Sequence, residues 1–169
     1  MRILPSRKSW ICTFSGSKYY PADPLAAEVK IVDIAHALSL QCRYTGHCRR
    51  FFSVGEHSIL VSEVVPPEHA LTALMHDAPE AYIHDISGPL KRSLPDYRAI
   101  EAKNWIAIAH KFCLPVNMPA CVKAADTAVL LAEMKVIMPP MPGDHGIRGD
   151  PADVQIMCLP PDEAESLFL

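Results

Sequence analysis

No run in this 169-residue chain approaches the roughly 18 apolar residues that a membrane-spanning helix needs, because Glu133 and Lys135 interrupt the longest candidate. CxxC pairs are absent, and no cysteine–histidine alternation has zinc-finger spacing, although cysteines stand at 12, 42, 48, 113, 121 and 158. These thiols read as reduced side chains in a reducing compartment, not as a disulfide or zinc framework. A large charge excess is missing too. Sixteen Lys and Arg against nineteen Asp and Glu leave −3, which gives no global attraction to nucleic acid. Arg2, Arg7 and Lys8 open the chain, but the five-residue apolar stretch after them is too short for a signal-peptide core. Strand-like alternation is nearly absent, and no repeat or linker divides the sequence. What remains is a chain half hydrophobic, long enough to bury roughly 70% of its unfolded surface. The expectation is one soluble, cytoplasmic, all-α domain.

Sixteen prolines mark most of the joints. Residues 1–30 read as an irregular extension with turns at Ser15-Gly16-Ser17 and 21–24. Asp33 looks like an N-cap for a helix over 34–40, and Ser53 like the cap of a helix over 54–65. A third helix is predicted over 68–84, with a kink or restart at Pro79. After Ser87-Gly88-Pro89 and a polar stretch, helices are predicted over 95–112 and 119–138. Residues 140–169 read as a second irregular extension, loop-like over 141–160 and closing on a short helix from Pro161 with acidic residues at its start.

The chemistry gathers around His76-Asp77 and Glu80. Helical neighbours point about 100° apart, so His76 and Asp77 can share an ion only if it sits off the helix edge. Glu80, three and four residues on, shares their face and suits the orienting or deprotonation of a metal-activated water. Two ligands make a poor site. His57 in the preceding helix and Asp126, an acid among alanines in Val122-Lys123-Ala124-Ala125-Asp126, complete a four-ligand set of two nitrogens and two oxygens. Singly each has a plain alternative: a core or surface histidine, or an Asp126 paired with Lys123 or Arg148.

Together, Gly55-Glu56-His57-Ser58, then 73–81 with His76-Asp77-Ala78-Pro79-Glu80, Asp85-Ile86-Ser87-Gly88-Pro89-Leu90-Lys91 and 122–126 resemble the HD-domain metal-dependent phosphohydrolases. The narrower resemblance is to the branch of bacterial 5′-deoxynucleotidases and small phage dATP triphosphohydrolases, and it covers roughly residues 33–135. It implies an all-helical HD-domain bundle, metal ligands at His57, His76, Asp77 and Asp126, and Glu80 as the catalytic acid. It departs where the deoxynucleotidases carry Arg-Trp and this chain has Arg43-Tyr44, and in the short link between His57 and His76.

Arg43, Lys91 and Lys123 are candidate phosphate contacts, Arg as a bidentate fork and Lys as a point charge. Tyr44 offers a face for a base or sugar, Asp85 an acceptor for a sugar hydroxyl, and Pro89 belongs to the same substrate-binding motif. The cofactor implied is one divalent transition metal (Zn, Co, Mn or Fe), with Mg as an additional ion. The partners implied are a small nucleotide and further copies of the chain in a homo-oligomer, with no membrane and no separate nucleic-acid role for the basic-aromatic segment 43–52. Three cations for one polyanion tip the expected reaction toward conversion of a deoxynucleoside triphosphate to deoxynucleoside and triphosphate. Removal of one phosphate from a deoxynucleoside monophosphate is the alternative. A catalytically silent nucleic-acid-binding or adaptor module is the alternative of another class. The segment 143–150 lacks the acidic spacing of a calcium loop and reads as a mobile loop.

Overall fold

The computed structural model describes Arg7 and residues 9–169; the remaining N-terminal positions, Arg2 and Lys8 among them, lie outside the described residues. The chain is mostly helical, as the pattern predicts. Helices run α1 Ile31–Leu40, α2 Val54–Val64, α3 Ala70–Leu74, α4 Glu80–Ile83, α5 Gly88–Arg92, α6 Pro95–Phe112, α7 Ala120–Ile137 and α8 Pro161–Phe168. Two short antiparallel strands, β1 Ile11–Cys12 and β2 Lys18–Tyr19, pair Ile11 with Tyr19 and Cys12 with Lys18 around the Ser15-Gly16-Ser17 turn. No helix among the described residues is long and apolar enough to cross a membrane. All six cysteines are free.

Proline sets several boundaries. Pro95 and Pro161 open α6 and α8, where a missing N–H costs nothing. Ser53 caps α2 as predicted, its hydroxyl accepting the Glu56 N–H at 2.9 Å. Asp33 is a correction. It lies inside the first turn of α1, whose cap is Lys30, and its buried carboxylate instead accepts from the N–H and hydroxyl of Ser15 at 2.7 and 3.1 Å. The third predicted helix is also broken sooner than expected. A 3-10 turn at Pro67–His69 leads into α3, residues 75–79 are turns, and α4 restarts directly after Pro79. The polar stretch after Ser87 contains α5, started by Pro89 in its first turn.

The core has two parts. Ile34, Leu38, Val54, Met75, Tyr82 and Ile108 form one with Tyr19 and Val29 from the N-terminal segment and Phe168 from the tail. Phe52, Val61, Ala73, Val122, Val129 and Ile137 form the other, with Val154 and Ile156 packed on it. The stretches read as irregular extensions are therefore built into the fold among the described residues, because their apolar side chains supply core volume. Residues 141–160 carry no helix or strand, yet Ala152 donates to the Ala128 carbonyl at 2.9 Å. The buried Glu56 carboxylate accepts the N–H groups of Met157, Cys158 and Leu159 at 2.9, 2.9 and 2.7 Å. Helix α8 then packs on α1 and α2, and Glu165 meets His36 at 2.9 Å.

Gly55 explains how closely α1 and α2 approach. A Cβ there would lie 2.8 Å from the Ser39 hydroxyl and 3.2 Å from Ser39 Cα, so any larger residue requires Ser39 and its backbone to give way. The contact fixes the depth of His57, two residues along α2.

Candidate metal centre

The turns at 75–79 settle how adjacent residues share one ion. His76 and Asp77 are not successive residues of a regular helix, so the 100° divergence does not apply. Asp77 Oδ2 lies 3.2 Å from His76 Nε2 and 3.7 Å from His57 Nε2. Asp126, on α7, completes the ring with Oδ1 3.2 Å from His57 Nε2 and 4.0 Å from His76 Nε2. The ligand atoms of His57, His76 and Asp126 all lie within 4.8 Å of one another. An ion held at roughly 2.0–2.2 Å by nitrogen and oxygen puts its ligand atoms about 3–4 Å apart. His57, His76 and Asp126 can hold a metal ion; Asp77, expected as a fourth ligand, lies near both histidines but outside that group of three.

The histidines are prepared for it. His57 Nδ1 donates to Glu133 Oε1 at 2.5 Å, and His76 Nδ1 donates to the Ala73 carbonyl at 2.7 Å. Each Nδ1 is thus engaged, and Nε2 is the nitrogen each ring turns toward the site. Both Nε2 atoms are buried without a hydrogen-bond partner among the described residues. A buried polar atom in that state is costly unless something else satisfies it, and a cation would. The local field agrees. Burial works against charge on His76, but the Asp77 and Asp126 carboxylates outweigh it and push its pKa up to about 9. For Asp77, burial opposes charge, yet His76, His57 and Arg43 pull its pKa far below the usual carboxylate range. Asp126 is likewise held down by His57 against the effect of burial. Its side chain is 42% exposed, so the centre opens to solvent there.

Glu80 has the opposite character. Burial, reinforced by Asp77 and Asp85, pushes its carboxyl well above the usual range, against the pull of Lys91 and Arg43. Lys91 Nζ lies 3.3 Å from Glu80 Oε1 and 2.6 Å from Glu101 Oε1, while Glu80 Oε2 has no partner among the described residues. Asp126 pairs with neither Lys123 nor Arg148, which is bound instead to Asp144 at 2.8 Å.

Three residues of the site carried no signal that pointed to their part in it. Glu133 is wholly buried and gathers three donors: His57 Nδ1, Arg43 Nε at 3.1 Å and the Tyr44 hydroxyl at 2.6 Å. Burial would raise its pKa, but Arg43, His57 and Tyr44 hold it at about 2. Its one sequence cue is a lone acid in the apolar stretch of α7, two turns beyond Asp126. Gln41 donates to the Glu80 carbonyl at 3.0 Å and accepts the Asp85 N–H at 3.2 Å, clamping both ends of α4. Glu101 shares Lys91 with Glu80.

Of the expected substrate contacts, Arg43 lies at the centre, between Glu133 and Asp77, with Nη1 3.7 Å from Asp77 Oδ2. Tyr44 stands beside it with positive φ, its hydroxyl committed to Glu133. Asp85 is half-buried just after α4, Lys91 touches Glu80, and Pro89 and Lys123 are exposed.

No family model matches the chain. Over 127 residues it is 46% identical to the Escherichia coli (strain K12) protein called Uncharacterized protein YfdR, covering 75% of this chain and 71% of that one. The chain belongs to the YfdR family. A second member, Uncharacterized protein RCAP_rcc00048 of Rhodobacter capsulatus, is 32% identical over 183 residues and spans 96% of this chain and 93% of its own. The similarity to this second relative thus takes in nearly the whole of this chain.

Proposed function

We propose that this YfdR-family protein is a metal-dependent phosphohydrolase of the HD-domain type acting on deoxynucleotides. The observation that carries the reading is the convergence of two unpartnered imidazole Nε2 atoms with Asp77 and Asp126, beside the buried, unpartnered Oε2 of Glu80. A divalent cation bound at His57, His76, Asp77 and Asp126 supplies Lewis acidity to a phosphoryl group and acidifies a water molecule.

This chain's own residues do the rest. Glu80 orients the attacking water and holds its proton, a role for which a carboxyl with a raised pKa is suited. Lys91 engages one Glu80 oxygen, and the other, buried without a partner among the described residues, is the one left to hold the water. Asp85 accepts from the sugar hydroxyl, and Tyr44 packs against C2′ and disfavours a ribose. Its hydroxyl is taken by Glu133, so it has no donor to offer a 2′-OH.

The leaving group separates two readings. Arg43, Lys91 and Lys123 would together suit a triphosphate. Arg43 is paired with Glu133 and Lys91 with Glu80 and Glu101, which leaves Lys123 as the one uncommitted cation of the three and supports removal of a single phosphate from a monophosphate. Chromatography of products from dAMP, AMP, dATP and ATP, with Mn²⁺, Co²⁺, Mg²⁺ or Zn²⁺ supplied, tests both. Deoxynucleoside and phosphate from dAMP, faster than from AMP, is the expected result. Inorganic triphosphate from dATP would reverse the order. No product from any substrate, with a gel shift on single-stranded oligonucleotide instead, would favour the adaptor reading.

A further inference from the structure

A cavity of about 440 Å³ opens beside the metal centre, large enough for a small organic ligand. One end is His76, Asp77 and Glu80; the other is a wall of α6 and the loop after it, with Arg98, Trp105 and Met118. Arg98, Ala102 and Trp105 recur at four and three residues, so α6 presents them on one face. Trp105 is half-buried, and its indole N–H is already satisfied by the Val116 carbonyl at 2.7 Å. The ring is thus fixed in orientation with its polar edge used, and it has only a π-face to give a ligand. The acid on this wall, Glu101, is neutralised by Lys91 at 2.6 Å. The Arg98 guanidinium is exposed, and no ion pair among the described residues engages it.

We propose that this cavity is the base subsite: a planar nucleobase stacks on Trp105 while Arg98 donates to its acceptor edge, which makes Trp105 and Arg98 the residues that select a nucleotide over a bare sugar phosphate. The inference rests on the phosphohydrolase reading for the placement of the phosphate, but not for the stacking itself. A phosphoryl group at the His76–Asp77 end leaves the rest of a nucleotide to run along the α6 wall. On that wall Ala99, Ala102, Trp105 and Met118 surround the Lys91-paired Glu101 and one free donor group, Arg98, which suits an aromatic ring bearing carbonyl or ring-nitrogen acceptors.

The test uses two independent readouts. Trp10 and Trp105 are the two tryptophans of the chain, so Trp10→Phe leaves Trp105 as the sole indole reporter. Titration of metal-free Trp10→Phe protein with 2′-deoxyadenosine or 2′-deoxyguanosine should quench it saturably, and 2-deoxyribose should not. Arg98→Ala should weaken that binding by roughly 2- to 10-fold. Absence of quenching by both nucleosides overturns the proposal. In turnover, Trp105→Ala should raise KM for dAMP by roughly 5- to 150-fold, the range of one base stack, and leave KM for 2-deoxyribose 5-phosphate unchanged. Trp105→Phe should restore most of the loss, which separates stacking from folding. An equal change for both substrates, or none for dAMP, overturns the proposal. Quenching without turnover of any phosphate ester would sink the hydrolase reading and leave the base subsite standing. Turnover without quenching would do the reverse.

Discussion

The Glu133 carboxylate lies 2.5 Å from Nδ1 of His57, and both side chains are wholly buried. Arg43 and Tyr44 donate to the other oxygen of the same carboxylate. Glu133 therefore sets the tautomer and aim of one proposed metal ligand while holding in place the dipeptide next to it. Groups that orient a ligating histidine typically contribute 10- to 100-fold in metal affinity. Glu133→Gln is expected to weaken Mn²⁺ or Co²⁺ binding by about that factor, measured by calorimetric titration. Unchanged affinity would reduce Glu133 to a structural anchor.

The same carboxylate gives a signed pH dependence. Its pKa is held at about 2, below the ordinary glutamate value, so its stabilisation is fully present above the unfolded value and fades as pH falls through about 2. In metal-free protein the stability gap between wild type and Glu133→Gln should shrink steadily between about pH 5 and about pH 2. Urea denaturation at several pH values reads it. A gap that widens on acidification would contradict the assigned charge state.

Removal of one ligand should leave an incomplete set. Asp77→Ala and Asp126→Ala are each expected to lose most bound metal after dialysis, by elemental analysis. Full occupancy in Asp77→Ala would mean that His57, His76 and Asp126 suffice.

Gly55 sets the α1–α2 distance and with it the seat of His57. Gly55→Ala should destabilise the protein by about 1–3 kcal/mol, as overpacking does, and weaken metal binding along with it. Thermal unfolding with and without metal separates the two effects. A neutral result would mean that Ser39 yields without moving its helix.

The long helices were legible in the sequence because proline and apolar spacing are local signals: α6 begins at Pro95 and ends at Phe112 where the pattern places it. His57, His76 and Asp126, which could hold a metal ion, stood out as candidates for a related reason, since polar side chains among apolar neighbours are conspicuous. Glu133 was not. A single acid in an apolar stretch reads as an interruption, and its partners are 76, 89 and 90 residues away. Gln41 acts through backbone groups that leave no sequence trace. Asp33 had the right chemistry in the wrong place, because a distant turn at Ser15 competed with the helix terminus for its oxygens. The Glu56 anchor escaped notice because its donors are main-chain N–H groups of the tail.

The central claim is that Glu80 works on a phosphorus centre beside a bound metal. Its most direct test is phosphate release from dAMP by metal-loaded wild type and Glu80→Gln, with metal content measured on the same samples. Wild type should turn over, and Glu80→Gln should fall by roughly 10²–10⁴-fold at equal metal occupancy. Equal rates in the two proteins, or no release by fully loaded wild type with Mn²⁺, Co²⁺, Mg²⁺ or Zn²⁺, would contradict it.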